Sequence, residues 1–239
     1  MKSILALLTL VLTLTFVVSP ALTSPFSGFS ADQLPIPQIN PPIQPAGYAF
    51  AIWGLIYAWL VVSAVIGVWK RNTDPEWDFA RWPLIVSLVV GTPWLAVANA
   101  SAIWATILIF VMAIGAVVAL IRAPIADPWW FRVPVGIYAG WLTAASFVSL
   151  GSTAAGYGIL TNAVGWAYIG IIAALIVAAL IIRQTGSVAY GLTVIWALVG
   201  IVVENGSDMI AVSTLASIGI IILLAVTAPQ QTIAPKVPS

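Results

Sequence analysis

The 239-residue sequence contains no cysteine and no histidine, and only 6% of its residues carry a charge. Without cysteine the chain can form neither a disulfide nor a thiolate metal site. Without histidine it lacks the commonest metal ligand and the usual proton shuttle near neutral pH. The net charge of +1 predicts no basic surface for a nucleic acid. The charged fraction also lies far below the ~25% that is typical of soluble domains.

The sequence contains long apolar runs without charged residues, and 62% of its residues are hydrophobic. A run of about 20 apolar residues crosses the ~30 Å hydrocarbon core of a bilayer as a helix. The sequence therefore predicts an all-α integral membrane protein, a polytopic bundle of about eight transmembrane helices. The predicted spans are Ser3–Ser19, Ala46–Trp69, Trp82–Ala100, Ile103–Ile121, Val133–Gly151, Thr161–Ile182, Ser187–Val203 and Met209–Thr227.

All Lys and Arg residues fall on one side of this arrangement, in the two termini and in every second connection. Cytoplasmic segments of membrane proteins carry the positive charge, so both termini are predicted to be cytoplasmic. The expected location is the inner membrane of a bacterium. The basic residues are Lys2, Lys70, Arg71, Arg81, Arg122, Arg132, Arg183 and Lys236.

The first span has two interpretations. A short basic start followed by Ile4–Val18 is typical of a signal peptide. Pro20 interrupts the small-residue site where cleavage would occur, which favours a retained helix.

Residues Pro20–Pro45 form a long external connection with seven prolines and a single charge, Asp32. Such a density of proline ends helices and favours stiff, extended backbone. Two interpretations stay open. The loop is either a rigid spacer between two helices or a lid over the external mouth of the bundle, because long ordered loops are often functional.

Tryptophan is abundant, with twelve residues in the chain. Seven of them lie near the ends of spans, where tryptophan commonly forms a belt at the membrane interface. They are Trp69, Trp77, Trp82, Trp104, Trp129, Trp130 and Trp166. A second group lies deeper, and buried indole N–H groups need partners that lipid tails cannot supply. These rings either fill the bundle interior or line an apolar cavity suited to a planar hydrophobic ligand. The deeper tryptophans are Trp53, Trp94, Trp141 and Trp196.

The stretch Pro45–Tyr57 resembles the start of the second helix in the TspO/MBR family of tryptophan-rich sensory proteins and translocator proteins. The family motif has a Pro-Pro-Gly-Trp-x-Phe start, then a Trp and, four residues later, a Tyr. Trp53 and Tyr57 keep that last spacing, while the interval from Phe50 to Trp53 is one residue shorter. Further matches in the third and fifth spans are Trp94, Pro134, Trp141 and Ala145.

The resemblance covers about residues 1–152, which match the five-helix unit of the family. Residues 153–239 add three helices and a short tail, so two parts of the chain are predicted with a boundary at 152. The chain also departs from the family motif, with residues of different type in place of a proline, a tryptophan and two asparagines. The departures are Ala46, Tyr48, Gly91 and Ser149.

What the resemblance implies is a membrane-embedded binder or sensor of porphyrins and other flat hydrophobic ligands. The pocket would lie inside the bundle, covered by the loop between the first two helices. No cofactor is required, and a tetrapyrrole is the implied ligand. The expected partners are the lipid bilayer and a hydrophobic small molecule, with no nucleic acid. The expected ligand-binding residues are Tyr48, Phe50, Trp53, Tyr57, Trp94, Tyr138, Trp141 and Ala145.

Transport of a neutral or amphipathic solute is the alternative function, with the last three helices completing a pathway. No ionisable residue is predicted near the middle of a span, which weakens proton-coupled transport. No nucleophile–base set or metal cluster is visible, so an enzyme is not expected and no catalytic or metal-binding residue is predicted. The acidic segment Glu204–Asp208 is interpreted as a solvated turn, because Asn-Gly-Ser sequences mark turns.

The fifth span contains a GxxxG pattern, Gly136–Gly140. Such a pair lets two helix backbones approach closely. Packing inside the chain is the favoured interpretation, with a homodimer as the other.

Overall fold

The computed structural model describes residues 4–26 and 28–228 of the chain. Eight helices in this part are long and apolar enough to cross a membrane, and no strand occurs among these residues. The prediction of an all-α polytopic membrane protein is therefore confirmed. The helices are α1 (Ile4–Val18), α2 (Ile52–Trp69), α3 (Pro75–Ala100), α4 (Ala102–Ile121), α5 (Val133–Gly156), α6 (Ala163–Thr185), α7 (Val188–Asn205) and α8 (Ile210–Thr227).

Helix α3 begins at Pro75, seven residues before the start of the predicted span at Trp82. The Asp74 side chain accepts hydrogen bonds from the backbone N–H groups of Glu76 and Trp77, and Pro75 occupies the first turn. An Asp cap followed by proline starts a helix even where hydropathy is low. The charged segment predicted as a loop is therefore mostly the first two turns of α3.

Helix α5 lies in the middle of the bundle and packs against α2, α4, α6 and α7. Most of its residues are buried, whereas α1, α2 and α8 present large exposed apolar faces. Helix α1 packs against α2 and α3, and α8 packs against α6 and α7. The last three helices thus pack on the first five mainly through α5, with smaller contacts of α6 on α4 and of α7 on Gly47–Ala51.

The GxxxG pair of α5 is used inside the chain. A Cβ atom added at Gly136 would lie 2.8 Å from Ser187 Oγ, and one at Gly140 would lie 2.7 Å from the backbone oxygen of Tyr190. The two glycines therefore allow α5 and α7 to approach backbone to backbone. This agrees with the favoured interpretation of the motif.

Charge is segregated between the two ends of the bundle. The helices alternate in direction, so the basic residues of the described segments gather at one end, which we call the basic end. The opposite end, which the 20–45 loop crosses, is the loop end. It carries Asp32, Glu204 and Asp208 and no Lys or Arg among residues 4–26 and 28–228. Lys2 and Lys236 lie outside the described residues.

Arg71, Trp77 and Asp127 form a hydrogen-bonded ion-pair cluster at the basic end. The Arg71 guanidinium donates two hydrogen bonds, of 2.7 and 3.0 Å, to the Asp127 carboxylate. The Trp77 indole N–H donates a third to the same carboxylate at 2.9 Å. The Arg71 hydrogen bond chiefly holds the pKa of Asp127 below its usual range. The cluster ties the segment after α2, the start of α3 and the segment before α5 together.

Two residues of this region differ from their sequence-based interpretation. Trp77 was assigned to the interfacial belt, but it is 1% exposed and packs against Phe131. Arg81 was assigned to a loop, but it is buried in α3, where it pairs with Asp78 and donates to the backbone oxygens of Gly67 and Arg71. Burial is possible for both because each polar group has a partner.

Candidate functional site

A cavity of about 270 Å³ opens inside the half of the bundle nearest the loop end. Residues from α1 to α7 and from the 20–45 loop line it, whereas α8 contributes none. This volume lies near the lower limit of small-molecule pockets, which are typically lined by apolar and aromatic side chains around a few polar groups.

The 20–45 loop forms one wall of the cavity. Its residues Phe26, Phe29, Ile43 and Pro45 are among those that line the space. The Phe26 ring meets Trp94 edge to face, with ring centroids 5.4 Å apart. The loop interpreted as a spacer or a lid thus lies over the cavity in this structure.

Hydrogen bonds hold the loop to the ends of three helices. Gln33 Nε2 donates to the backbone oxygen of Ala98 in α3 at 2.9 Å. The backbone N–H of Ile36 donates to the oxygen of Gly156 in α5 at 2.8 Å, and Asn205 Nδ2 in α7 donates to the oxygen of Pro42 at 2.8 Å. A loop held at three points has a defined position, which agrees with either a rigid spacer or a lid.

Most of the expected ligand-binding residues come together around this cavity. Trp53 and Tyr57 stack on one face of α2, with centroids 5.2 Å apart and planes inclined by 29°. Trp141 meets the edges of Phe50 at 5.6 Å and Trp53 at 6.4 Å. The expected residues that line the cavity are Phe50, Trp53, Tyr57, Trp94, Trp141 and Ala145.

The other two expected residues lie elsewhere. Tyr48 is 45% exposed and packs edge to face on Trp196, outside the cavity lining. Tyr138 is fully buried behind the cavity, where its hydroxyl pairs with that of Ser87 at 2.9 Å and its ring meets Phe16. Neither side chain belongs to the cavity lining of this structure.

Several lining residues were not found from the sequence. Phe16 of α1 carried no family motif, and Ile171, Val194 and Leu198 belong to the last three helices. A pocket confined to residues 1–152 would have excluded these last positions. No local pattern marks them, because they reach the cavity only through the packing of α6 and α7 on α5.

Gly91 shows what replaces one of the family asparagines. It lines the cavity, and a Cβ atom there would lie 2.8 Å from Phe16 Cε2 and 2.9 Å from Met112 Cε. The ring of Phe16 therefore takes the space that a longer side chain would need. At the other asparagine position, Ser149 lines the cavity and pairs with the Thr106 hydroxyl at 2.7 Å.

The indole N–H groups divide into three sets. Five donate to protein oxygens, at Trp59, Trp77, Trp94, Trp166 and Trp196. Five belong to exposed rings near helix ends, at Trp69, Trp82, Trp104, Trp129 and Trp130. Trp53 and Trp141 line the cavity, and among residues 4–26 and 28–228 no acceptor pairs with either.

Charged side chains do not contribute to the cavity lining within the described segments. The polar groups are a few hydroxyls, the Gln44 amide, the phenol of Tyr57 and the indoles. No group of three or more acidic residues that could hold a metal ion occurs in this part of the chain. The described lining residues therefore offer a ligand apolar contacts and hydrogen bonds with uncharged groups.

The fold and the cavity together define a class, a polytopic α-helical membrane protein with an aromatic cavity between its helices. The family model described as "TSPO-like protein" matches residues 3–228. The chain therefore belongs to the TSPO-like family, and the match extends across the predicted boundary at residue 152. Comparisons with curated proteins and with solved structures find no match.

Proposed function

We propose that this protein is a membrane-embedded binder or sensor of flat hydrophobic ligands of the porphyrin type. The observation that carries the proposal is the aromatic cavity beneath the loop, with Trp53, Tyr57, Trp94 and Trp141 in its walls. Aromatic rings stack on planar ligands and contribute about 0.5–1.5 kcal/mol per pair beyond the burial of area. Membership of the TSPO-like family supports the same class of function.

A titration tests the proposal. Protein in lipid nanodiscs is titrated with protoporphyrin IX, and the tryptophan fluorescence and the porphyrin absorption band are followed together. Saturable quenching with a shifted band at one ligand per chain is expected, because Trp53 and Trp141 lie in the cavity wall. Empty nanodiscs provide the partitioning control. Quenching that never saturates, or that equals partitioning, would contradict specific binding.

Transport of a neutral solute is the second candidate, favoured by the contribution of α6 and α7 to the cavity. A pathway would have to pass the basic end, where Phe131, Trp77 and Arg81 are buried. Proteoliposome flux of the bound compound separates the two functions. Flux that persists in the Trp53→Ala variant would favour transport over aromatic binding.

A further inference from the structure

Three donors carried by aromatic rings in the cavity wall have no protein acceptor. They are the indole N–H groups of Trp53 and Trp141 and the phenol O–H of Tyr57, and no hydrogen bond joins any of them to the described residues. The three rings form one cluster, with Trp53 5.2 Å from Tyr57 and 6.4 Å from Trp141 between centroids. Donors in an apolar environment are costly to leave unpaired.

Other tryptophans in the same bundle do find protein acceptors. The Trp94 indole, also in the cavity wall, donates to the backbone oxygen of Ala105 at 2.9 Å. Trp196 donates to the oxygen of Ala49 at 2.9 Å. The bundle thus satisfies indoles where they serve packing. Among the described tryptophans that line the cavity, Trp94 thus has a protein acceptor, whereas Trp53 and Trp141 have none.

The absence of basic residues from the described cavity lining constrains the charge of the ligand. No Lys or Arg lines the cavity, and the described part of the loop end carries only acidic residues, Asp32, Glu204 and Asp208. A carboxylate placed in the cavity would therefore be desolvated without a cationic partner. A carboxylate that projects from the cavity at the loop end would find no Lys or Arg there among the described residues.

We infer that the ligand is uncharged where it is buried and presents a hydrogen-bond acceptor, such as an ester or ketone carbonyl, to the Trp53–Tyr57–Trp141 cluster. This inference rests on the proposed function, because it specifies the ligand class of the same cavity. Among flat tetrapyrroles it selects esterified or otherwise neutral forms over free dicarboxylic acids. Ring stacking supplies affinity, and the three donors supply orientation.

The charge half of the inference is tested with protoporphyrin IX and its dimethyl ester, which share one ring system. Both are titrated into nanodiscs at pH 7.5, and each affinity is corrected for partitioning into empty nanodiscs. The ester is expected to bind at least tenfold more tightly, because the diacid must bury a carboxylate in the cavity without a cationic partner. Equal affinity, or tighter binding of the diacid, would overturn the inference while leaving the aromatic binder intact. Failure of both probes would overturn the proposed function and the inference with it.

The donor half is tested by removing one donor at a time. Tyr57→Phe, Trp53→Phe and Trp141→Phe are titrated with the dimethyl ester and with perylene, a flat hydrocarbon that has no acceptor. Loss of ring packing weakens both probes, whereas loss of a donor weakens the ester alone. We expect an additional loss of roughly two- to tenfold for the ester in at least one variant.

The matched control is Tyr48→Phe, because Tyr48 is exposed and lies outside the cavity lining. Its affinities for both probes should equal those of the wild type. If no cavity variant shows an extra loss of affinity for the ester, the three donors do not bind an acceptor on the ligand. This half of the inference is then refuted.

Discussion

Trp53 and Trp141 are the residues on which the cavity depends most directly. Each contacts two or more other aromatic rings, and both line the cavity. Trp53→Ala or Trp141→Ala should weaken porphyrin binding about tenfold or more, since each removes about 1 kcal/mol of stacking together with buried area. The measurement is the dissociation constant from fluorescence and absorption titration.

The matched control for these variants is Trp130→Ala, which removes an exposed ring near the basic end. Trp129 is less suitable, although it is also exposed, because Trp59 stacks on its ring at 6.1 Å and donates to its backbone oxygen. Equal losses in control and cavity variants would make the aromatic cluster structural rather than ligand-binding.

Asp127 is the residue at which pH should affect stability. Its pKa is lowered in the folded chain, chiefly by the Arg71 hydrogen bond, so it stabilises the fold above its ordinary pKa of about 3.9. That stabilisation is lost as the pH falls through the lowered pKa. Asp127→Asn should lower the thermal midpoint by several degrees at pH 7, measured in detergent.

The difference between wild type and Asp127→Asn should begin to shrink below about pH 4, where the carboxyl of the unfolded chain becomes protonated. It should be smallest once the pH has fallen through the lowered pKa of the folded chain. Asp208→Asn is the control, since Asp208 lies in the exposed turn at the loop end. A difference that stays constant from pH 7 to pH 3 would show that the carboxylate charge does not contribute.

Helix α5 is the element whose packing leaves the least room for an added side-chain atom. Gly140→Ala brings a Cβ atom within 2.7 Å of the backbone oxygen of Tyr190, and backbone cannot swing aside as a flexible side chain can. A cost of about 1–3 kcal/mol is expected from such overpacking. Gly54→Ala in α2 is the control, because a Cβ atom there meets nothing within 4 Å. Thermal unfolding in detergent measures both, and equal midpoints would contradict close packing of α5 on α7.

The 20–45 loop is the element that should control ligand exchange. Gln33→Ala removes the bond to Ala98 and the capping contact with the Ser30 backbone. The loop should then open more often, so porphyrin dissociation should be faster by several-fold in stopped-flow measurements while helix content stays unchanged.

Gln38→Ala is the matched control, because the Gln38 amide donates only to Ile36 within the loop. Its dissociation rate should equal that of the wild type. Rates that are equal in all three proteins would leave the loop as a rigid spacer over the cavity.

At the scale of the whole molecule, the separation of charge between the two ends predicts orientation. The basic end should face the cytoplasm, with both chain termini on that side. Reporter fusions after Ser239 and within the loop near Asp32 should report opposite sides of a bacterial inner membrane. A C-terminal reporter that is active on the external side of the membrane would contradict the orientation.

The architecture was largely predictable from the sequence. Long apolar runs must form helices in a bilayer because no water is present to pair exposed backbone groups. The eight spans follow from that requirement, and the segregation of Lys and Arg agrees with it. The spacing of Trp53 and Tyr57 likewise predicted one shared helix face, because residues four apart are neighbours on a helix.

The partners across the bundle were decided only by the tertiary structure. Hydropathy cannot tell a buried Arg81 or Trp77 from an interfacial one, because the difference lies in the acceptors that other segments supply. The cavity likewise depends on α6 and α7 packing on α5, which no local motif encodes. Helix formation is a local property of the chain. Which indole remains unpaired depends on residues that are distant in sequence and become neighbours only when the helices pack.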